Sequence, residues 1–426
     1  MKMLPKHIIL VMLLTATLAA MAQTPERGFY KDIYMDGGVN LTSKEYLPAA
    51  RSLMLSIEKL RVGTKKLGVT EVDTLVQHRT FVGNEFDENG ILLYPDGAPR
   101  YRMLFVNGGL ATAHGRSQGK DGIDRVRAFV NAGGGYLGSC AGAYWATTGA
   151  DEHPGNEWYL GIYPGECTDA HLQDTRVGLT IPANSPMLRY SDYGGDMHID
   201  SIYHNGGCYV DKSKLIAGAE ILFEYDYPPK SMHGNGAAWA YKANAATGRV
   251  ICCGPHPESV VTGERLEMME AMVQYVLEGT PAPAIKGELK PGEPRTMACR
   301  TSDNNPALTR IGDKQYHHFT VNVPQGTDTL KIMLEPHNGL SNYDMFLFAS
   351  YDGPAMMGAS KYRNMSRGVK KELEIVNPKP GTLFLSVFLD TTVDTEETQY
   401  GTTYKGRLDV LNGVPYVIKT ECRNRP

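Results

Sequence analysis

A chain of 426 residues is too long for one ordinary hydrophobic core, so we expect two domains. The formal net charge is −4, 21% of the residues are charged, and no basic run or basic helix face stands out. This charge pattern argues against a nucleic-acid-binding protein, and we expect no nucleic-acid partner.

The first 22 residues have the three parts of a secretory signal peptide. Lys2 and Lys6 make the start positive, residues 8–20 are almost wholly apolar, and Ala20-Met21-Ala22 is a small-x-small cleavage site. The apolar run is too short to span a bilayer, and no later segment is long and apolar enough to do so. No cysteine directly follows the run, which argues against a lipid anchor. The sequence therefore predicts an exported, soluble protein, periplasmic or extracellular, with no membrane span.

Strands alternate with helices in the next part of the chain. Strands are predicted at residues 32–42, 69–75, 102–106 and 135–137, and helices at residues 44–60 and 122–131. This alternation is typical of an α/β domain with a parallel sheet and right-handed crossovers. Residues 151–230 are weakly periodic and are predicted to form loops and short antiparallel strands. Further strands are predicted at 237–241 and 249–253, and an amphipathic helix at 263–277.

The most informative stretch is Gly138-Ser139-Cys140-Ala141-Gly142, which has the spacing of a nucleophile elbow with Cys in the nucleophile position. In such an elbow a strand turns sharply into a helix, and the residues two before and two after the nucleophile come close together. Glycine is needed there because a side chain would clash. The sulfur then lies at a helix start, where backbone N–H groups and the helix dipole stabilise a thiolate. The alternative is a buried structural cysteine.

A second candidate segment, Pro255-His256-Pro257-Glu258, follows the strand predicted at 249–253. The two prolines favour an extended backbone, in which residues two apart share a face. His256 and Glu258 would then lie side by side, with the carboxylate holding one imidazole nitrogen and the other nitrogen facing a thiol. The alternative is a histidine in a proline-rich loop beside a solvated Glu258. The elbow upstream favours a Cys140–His256–Glu258 triad.

An oxyanion hole would complete this site. One donor is expected to be the backbone N–H of Ala141, the residue after the nucleophile. The second is expected from Gly108-Gly109, which follows the strand at 102–106, because glycine lets a backbone N–H approach a ligand closely. The alternative for Gly108-Gly109 is a simple tight turn.

The chain changes character after residue 278. Residues 278–294 contain four prolines and three glycines, which predicts a linker. Short alternating segments follow and predict an antiparallel β-sandwich; they lie at residues 316–323, 329–334, 343–349, 373–376, 383–389 and 404–410. We place the signal peptide at 1–22, the first domain at 23–280, the linker at 281–298 and the sandwich at 299–426.

The seven cysteines leave at least one thiol unpaired within an exported chain. We assign Cys140 to that state. Cys299 and Cys422 bracket the C-terminal segment and are candidates for a disulfide, although sequence alone does not determine connectivity. Cys252 and Cys253 are adjacent in an apolar strand and are predicted to be core thiols.

Three motifs, FVNGG, GGGYLGSCAGAYWA and GPHPES, together resemble a class I glutamine amidotransferase-like domain over about residues 32–277. The closer similarity is to the N-terminal domain of eukaryotic biotin-protein ligase. The resemblance implies a flavodoxin-like sheet, a triad of Cys140, His256 and Glu258, and an oxyanion hole near Gly109 and Ala141. Residues 301–420 weakly resemble the bacterial pre-peptidase C-terminal β-sandwich, an accessory module of exported proteins.

Departures from these families limit what the resemblance implies. No biotin-ligase catalytic domain follows, so we expect no ligase activity, and the chain carries no ATP-grasp, synthase or other ammonia acceptor. Two functions stay open: a Cys-His-Glu hydrolase or amidotransferase-like enzyme acting through a thioester, or a non-catalytic binding protein of the cell envelope. The expected substrate is a small amide, a peptide or a cell-envelope component, with an unidentified acceptor protein as a possible partner and no cofactor.

Two further segments carry candidate binding residues. The segment from Tyr203 to Gly207 resembles one found in the biotin-ligase-like branch, so Tyr203 and Asn205, with Gly108, are predicted to contact substrate; a plain turn is the alternative. Asp196, His198 and Asp200 alternate along one strand, and with His204 they could form a metal site. Their spacing is loose, so we interpret them as a polar rim and predict no metal.

Overall fold

The structure is a computed structural model. It describes residues 29, 31–36, 61–62, 65–66, 69–70, 81–151, 155–260, 262–398 and 401–424. The predicted signal peptide, the predicted helix at 44–60 and most of the predicted strand at 69–75 lie outside these residues. Within the described part of the chain, no helix has both the length and the apolar character needed to cross a membrane.

A nine-stranded sheet, called here the large sheet, organises the N-terminal part of the chain. The described strands of this part of the chain are β1 (Lys31–Asp36), β2 (Arg61–Val62), β3 (Lys65–Lys66), β4 (Val69–Thr70), β5 (Tyr101–Val106), β6 (Gly135–Ser139), β7 (Thr168–Asp169), β8 (Thr175–Thr180), β9 (His198–His204), β10 (Cys208–Tyr209), β11 (Ala219–Asp226), β12 (Gly236–Tyr241) and β13 (Val250–Cys253). In the large sheet their order is β4-β1-β5-β6-β13-β12-β11-β8-β9. Pairing is parallel from β4 to β13 and antiparallel from β13 to β9. The predicted α/β class is confirmed, and residues 151–230 supply antiparallel strands to the same sheet.

Among the residues that the structure describes, three α-helices cover the two faces of the large sheet: α1 (Ala111–Asn131), α2 (Ala141–Ala146) and α3 (Glu264–Glu278). Alternate residues of β5 point to opposite faces, as the two-residue period of a strand requires. Met103 and Phe105 pack in the core that includes α3, whereas Leu104 and Val106 pack in the core that includes α1 and α2. The central strands are therefore buried on both sides, which is typical of parallel sheets.

Two C-terminal sheets pack around one apolar core and form the predicted sandwich. The strands of this part of the chain are β14 (Ile285–Glu288), β15 (Arg295–Met297), β16 (Tyr316–Val323), β17 (Thr327–Pro336), β18 (Met345–Ser350), β19 (Tyr362–Asn364), β20 (Lys371–Val376), β21 (Gly381–Leu389), β22 (Asp394–Thr398), β23 (Gly401–Lys405) and β24 (Tyr416–Asn424). The two sandwich sheets have the orders β14-β16-β21-β18-β19 and β15-β24-β17-β20, whereas β22 and β23 pair separately with each other. Pairing is antiparallel except between β14 and β16.

Three details of this half differ from the sequence-based expectation. Part of the predicted linker lies in β14 and β15, two short strands at the edges of their sheets, where proline and glycine are tolerated nearby. The strand predicted at 404–410 ends at Lys405, because Gly406 has a φ of +75° and a 3₁₀ turn follows at Leu408–Asn412. The predicted Cys299–Cys422 disulfide is wrong. Both thiols are free. β15 and β24 run antiparallel with Met297 opposite Tyr416, so Cys422 lies far along β24 from Cys299.

Residues 81–100 carry polar contacts between the large-sheet half and the sandwich. The Asp96 carboxylate accepts hydrogen bonds from Lys286 Nζ at 2.5 Å and from Gln315 Nε2 at 2.8 Å. The buried Arg100 guanidinium lies between Asp87, at 3.7 Å, and Asp313, at 3.5 Å. The two halves are thus joined by paired charges that are shielded from water.

Candidate functional site

The strand β6 ends at Ser139, α2 begins at Ala141, and Cys140 forms the turn between them. Cys140 has φ +48° and ψ −110°, a backbone conformation that residues other than glycine rarely adopt. The flanking glycines are required by close backbone contacts. A Cβ on Gly138 would lie 2.3 Å from the Gly142 carbonyl oxygen, and one on Gly142 would lie 2.2 Å from the Val106 carbonyl oxygen. The backbone therefore has the geometry of a nucleophile elbow.

Pairing of β6 with β13 places the second half of the site. The two strands are parallel neighbours with Ser139 opposite Cys253, so their carboxyl ends lie at the same edge of the sheet. Cys140 follows the first strand directly, and His256 follows the second after two residues. The pairing of β6 with β13 thus brings together two segments that are more than a hundred residues apart in the sequence.

His256 and Glu258 are in direct contact. His256 Nδ1 lies 2.8 Å from Glu258 Oε1, and both side chains are largely buried. The predicted extended path differs from the structure, because Pro257–Ser259 form a 3₁₀ turn in which proline occupies the first position. The carboxylate still reaches the imidazole, since His256 keeps a non-helical backbone at the start of the turn.

Glu258 and Cys140 both act on the His256 imidazole. Burial by itself lowers the pKa of His256, but the charge of Glu258 and the interactions with Cys140 and Glu258 outweigh it. They hold the pKa well above its ordinary value of 6.5. An imidazole held by a carboxylate near a cysteine is the arrangement that could activate a cysteine nucleophile.

Gly108 borders both reactive groups. A Cβ at this position would lie 2.6 Å from His256 Cε1 and 3.4 Å from Cys140 Cβ, so the absence of a side chain keeps the space in front of the sulfur open. Gly109 follows with a φ of +145°, and Leu110 is the N-cap residue of α1. The structure thus brings Gly108 and Ala141 next to Cys140, and Gly109 is the next residue of the same loop.

The segment from Tyr203 to Gly207 lies on the other side of the sulfur. Cys140 Sγ donates to the carbonyl oxygen of Asn205 at 3.4 Å. The Tyr203 ring is 5.6 Å from the His256 ring, and the Tyr203 carbonyl accepts the His256 backbone N–H at 2.8 Å. His204 points the opposite way into the core, where burial lowers its pKa to about 4. Asn205 therefore lies beside Cys140 and Tyr203 beside His256, whereas the His204 side chain lies in the core.

The polar residues near His198 form ion pairs at the surface of β9. His198 Nδ1 lies 3.1 Å from Asp200 and its Nε2 lies 3.0 Å from Asp226. Burial lowers the pKa of His198, but hydrogen bonds with these two carboxylates raise it above 6.5 overall. Among the residues that the structure describes, no three His, Cys, Asp or Glu side chains are arranged to hold a metal ion. His204 is separated from this group by its inward orientation.

Sequence reasoning did not single out Ser139, whose hydroxyl donates to Glu258 Oε1 at 2.8 Å. The available signal was modest: Ser139 is the one polar, non-aromatic side chain in the strand Gly-Tyr-Leu-Gly-Ser, directly before the nucleophile.

Comparisons with known proteins agree with the motifs. Residues 97–278 match the family described as "Biotin-protein ligase, N terminal", which confirms the resemblance over that segment. A curated relative, an "Uncharacterized protein" of Chlamydia muridarum (strain MoPn / Nigg), is 27% identical over 165 residues, or 37% of this chain. The match spans 60% of that relative's length, less than two thirds of it.

Several solved structures are similar at low identity. One is described as "Crystal structure of glutamine amidotransferase", with 17% identity, coverage of 58% of this chain and 97% of that chain, and a TM-score of 0.36. The structure of PurLQS from Thermotoga maritima shows 14% identity, 57% and 99% coverage, and a TM-score of 0.34. The pre-peptidase C-terminal domain of collagenase from Bacillus anthracis shows 11% identity, 33% and 98% coverage, and a TM-score of 0.19.

Proposed function

We propose, from the premise that residues 97–278 form a domain of the biotin-protein ligase N-terminal family, that this protein is an exported cysteine-nucleophile enzyme. It hydrolyses an amide or peptide bond through a thioester on Cys140, or passes the released ammonia to an acceptor. The observation that supports this most strongly is the 2.8 Å hydrogen bond between His256 and Glu258 beside Cys140, at the carboxyl ends of two adjacent strands.

The reaction begins from the thiolate–imidazolium pair. Cys140 Sγ attacks the carbonyl carbon, and the imidazolium of His256 gives its proton to the departing amine, which leaves a thioester. His256, now neutral, takes a proton from water as the water attacks the thioester, and collapse of the second tetrahedral species releases the acid and the thiolate. Glu258 keeps Nδ1 protonated and the ring oriented throughout. The net change is amide plus water to acid plus amine.

Negative charge on the carbonyl oxygen would be stabilised by backbone donors. Ala141 follows the nucleophile at the start of α2, and Gly109 lies in the loop that borders the sulfur. Two such N–H groups are the usual oxyanion hole of acyl transfer and are worth several orders of magnitude in rate. Gly108 leaves the approach to the sulfur free, and Tyr203 supplies an aromatic wall beside His256.

One contact favours a second candidate, a cell-envelope binding protein that retains the fold without turnover. The Asn205 carbonyl oxygen occupies a position 3.4 Å from Sγ and accepts the thiol proton. For catalysis this carbonyl has to yield to substrate, whereas in a binding protein it would simply hold the thiol in place.

Alkylation kinetics distinguish the two candidates. The full-length protein is treated with iodoacetamide or an electrophilic glutamine analogue, and each cysteine is followed by mass spectrometry. The half-buried free thiols Cys299 and Cys422 provide internal references in the same digest. An enzyme should label Cys140 roughly tenfold or more faster than the references, because an ordinary thiol is only a few per cent thiolate near neutral pH.

The matched variants are His256→Ala and His198→Ala, the second removing a surface histidine outside the site. Rapid labelling should be lost in the first and retained in the second. Labelling of Cys140 at the rate of the references, unchanged by His256→Ala, would overturn the enzyme proposal and leave the binding protein. Release of ammonia from a library of small amides and peptides then identifies the substrate class, and cell fractionation tests export.

A further inference from the structure

We infer that Ser139 is a positioning residue of the triad, whose hydroxyl holds the Glu258 carboxylate in the orientation that His256 requires. The inference rests on the proposed function and extends it by one residue. Ser139 Oγ donates to Glu258 Oε1 at 2.8 Å, and the same oxygen lies 2.8 Å from His256 Nδ1. Ser139 is 1% exposed and Glu258 is 4% exposed, so water has little access to this contact.

The position of Ser139 follows from the sheet. It is the last residue of β6 and pairs with Cys253 of β13, the strand that leads to His256. The sharp turn at Cys140 redirects the chain, so two successive residues serve different ends of the triad. Cys140 supplies the sulfur, and Ser139 reaches the carboxylate at the far side of the imidazole.

The chemistry of a buried carboxylate explains why this hydroxyl is needed. An ionised carboxylate removed from water is stabilised by hydrogen-bond donors, and its orientation is determined by them. With two donors on Oε1, rotation of the Glu258 carboxylate is restricted, and His256 keeps the proton on Nδ1. Loss of the Ser139 hydroxyl removes one of those donors and lets the carboxylate turn away from the ring. The imidazolium, and with it the thiolate, then becomes less stable.

The test compares Ser139→Ala with a matched control, Ser185→Ala. Ser185 is also buried in the large-sheet half, and its hydroxyl donates to the neutral Leu222 carbonyl at 2.8 Å, away from the site. Ser139→Thr restores a hydroxyl. The probe is iodoacetamide, and the readout is the second-order labelling rate of Cys140, measured from about pH 5 to about pH 10.

We expect Ser139→Ala to lower the labelling rate at neutral pH roughly ten- to hundredfold, the usual effect of losing a hydrogen bond to a charged group. In Ser139→Ala the thiolate should form at a higher pH than in the wild type, and the imidazolium should lose its proton at a lower pH. Rapid labelling should therefore extend over a narrower pH range. Ser139→Thr should recover most of the rate, and Ser185→Ala should match the wild type. A Ser139→Ala profile that superimposes on the wild type would overturn the inference.

A second measurement keeps the inference separate from the proposed function. The pKa of His256 is measured by NMR on histidine-labelled protein, with the signal identified by its absence in His256→Gln. A lower pKa in Ser139→Ala, with tryptophan fluorescence showing an intact fold, supports positioning even if Cys140 of the wild type reacts no faster than Cys299. An unchanged pKa refutes positioning, whereas slow labelling of the wild type refutes the enzyme alone.

Discussion

Replacement of Cys140 by glycine should stabilise the fold relative to replacement by alanine. Cys140 has a φ of +48° and a ψ of −110°, and a non-glycine residue in such a region carries about 1–3 kcal/mol of strain. Glycine removes that strain but costs about 0.5–1 kcal/mol through its greater freedom in the unfolded chain. Both variants lose the sulfur, so its contacts cancel in the comparison. The free energy of unfolding of Cys140→Gly should therefore exceed that of Cys140→Ala by about 1 kcal/mol.

Urea unfolding of the full-length protein followed by tryptophan fluorescence measures this difference. The three tryptophans, Trp145, Trp158 and Trp239, all lie within residues 97–278, so the signal reports the half that contains the elbow. Ala128→Gly, at an exposed helical position of α1, is the control for the ordinary effect of glycine. It should destabilise by about 0.5–1 kcal/mol. If Cys140→Gly is less stable than Cys140→Ala by a similar amount, the turn is unstrained and the argument for an elbow fails.

Further substitutions test the packing and the electrostatics. Gly142→Ala should lower the free energy of unfolding by about 2 kcal/mol or more, because its Cβ would lie 2.2 Å from the Val106 carbonyl oxygen. An unchanged urea midpoint would contradict this close contact. Gly108→Ala should slow alkylation of Cys140 roughly tenfold with a smaller effect on unfolding, because its Cβ would lie 2.6 Å from His256 Cε1 and 3.4 Å from Cys140 Cβ, beside the sulfur. Equal losses of rate and stability would argue for a structural role. Burial lowers the pKa of His318 to about 4, below its unfolded value, so the unfolded state binds the proton first and stability falls as pH drops from about 6.5 to about 4. The loss of unfolding free energy over this pH range is about 3 kcal/mol. The melting temperature of His318→Gln should therefore depend less steeply on pH than that of the wild type. Equal pH dependence in the two proteins would refute the lowered pKa of His318.

Features with a local steric cause were predictable from the sequence. The elbow could be identified because two glycines at fixed distances from Cys140 are imposed by backbone contacts, whatever the rest of the fold does. The helix predicted at 263–277 corresponds to Glu264–Glu278, since its apolar face is strongly periodic. The strand predicted at 316–323 coincides with β16, where alternating residues face the sandwich core.

Features that depend on pairing between distant segments were not predictable. The antiparallel strands β8, β9 and β11 have mixed burial patterns, so alternation in the sequence is weak although they belong to the large sheet. The state of Cys299 and Cys422 depends on the register between β15 and β24, which the spacing of cysteines does not contain. The Ser139–Glu258 contact likewise depends on the neighbourhood of β6 and β13.

The charged contacts around residues 81–100 have a practical consequence for anyone who shortens this protein. Excision of the sandwich would deprive Arg100 of Asp313 and Asp96 of Lys286 and Gln315, and would leave a polar seam facing solvent on the truncated fragment. Where a group stays shielded from water, loss of one partner of its ion pair is costly for the charge left behind. A trimmed version of the large-sheet half should therefore be redesigned at Asp96 and Arg100 before its reactivity is compared with that of the whole chain.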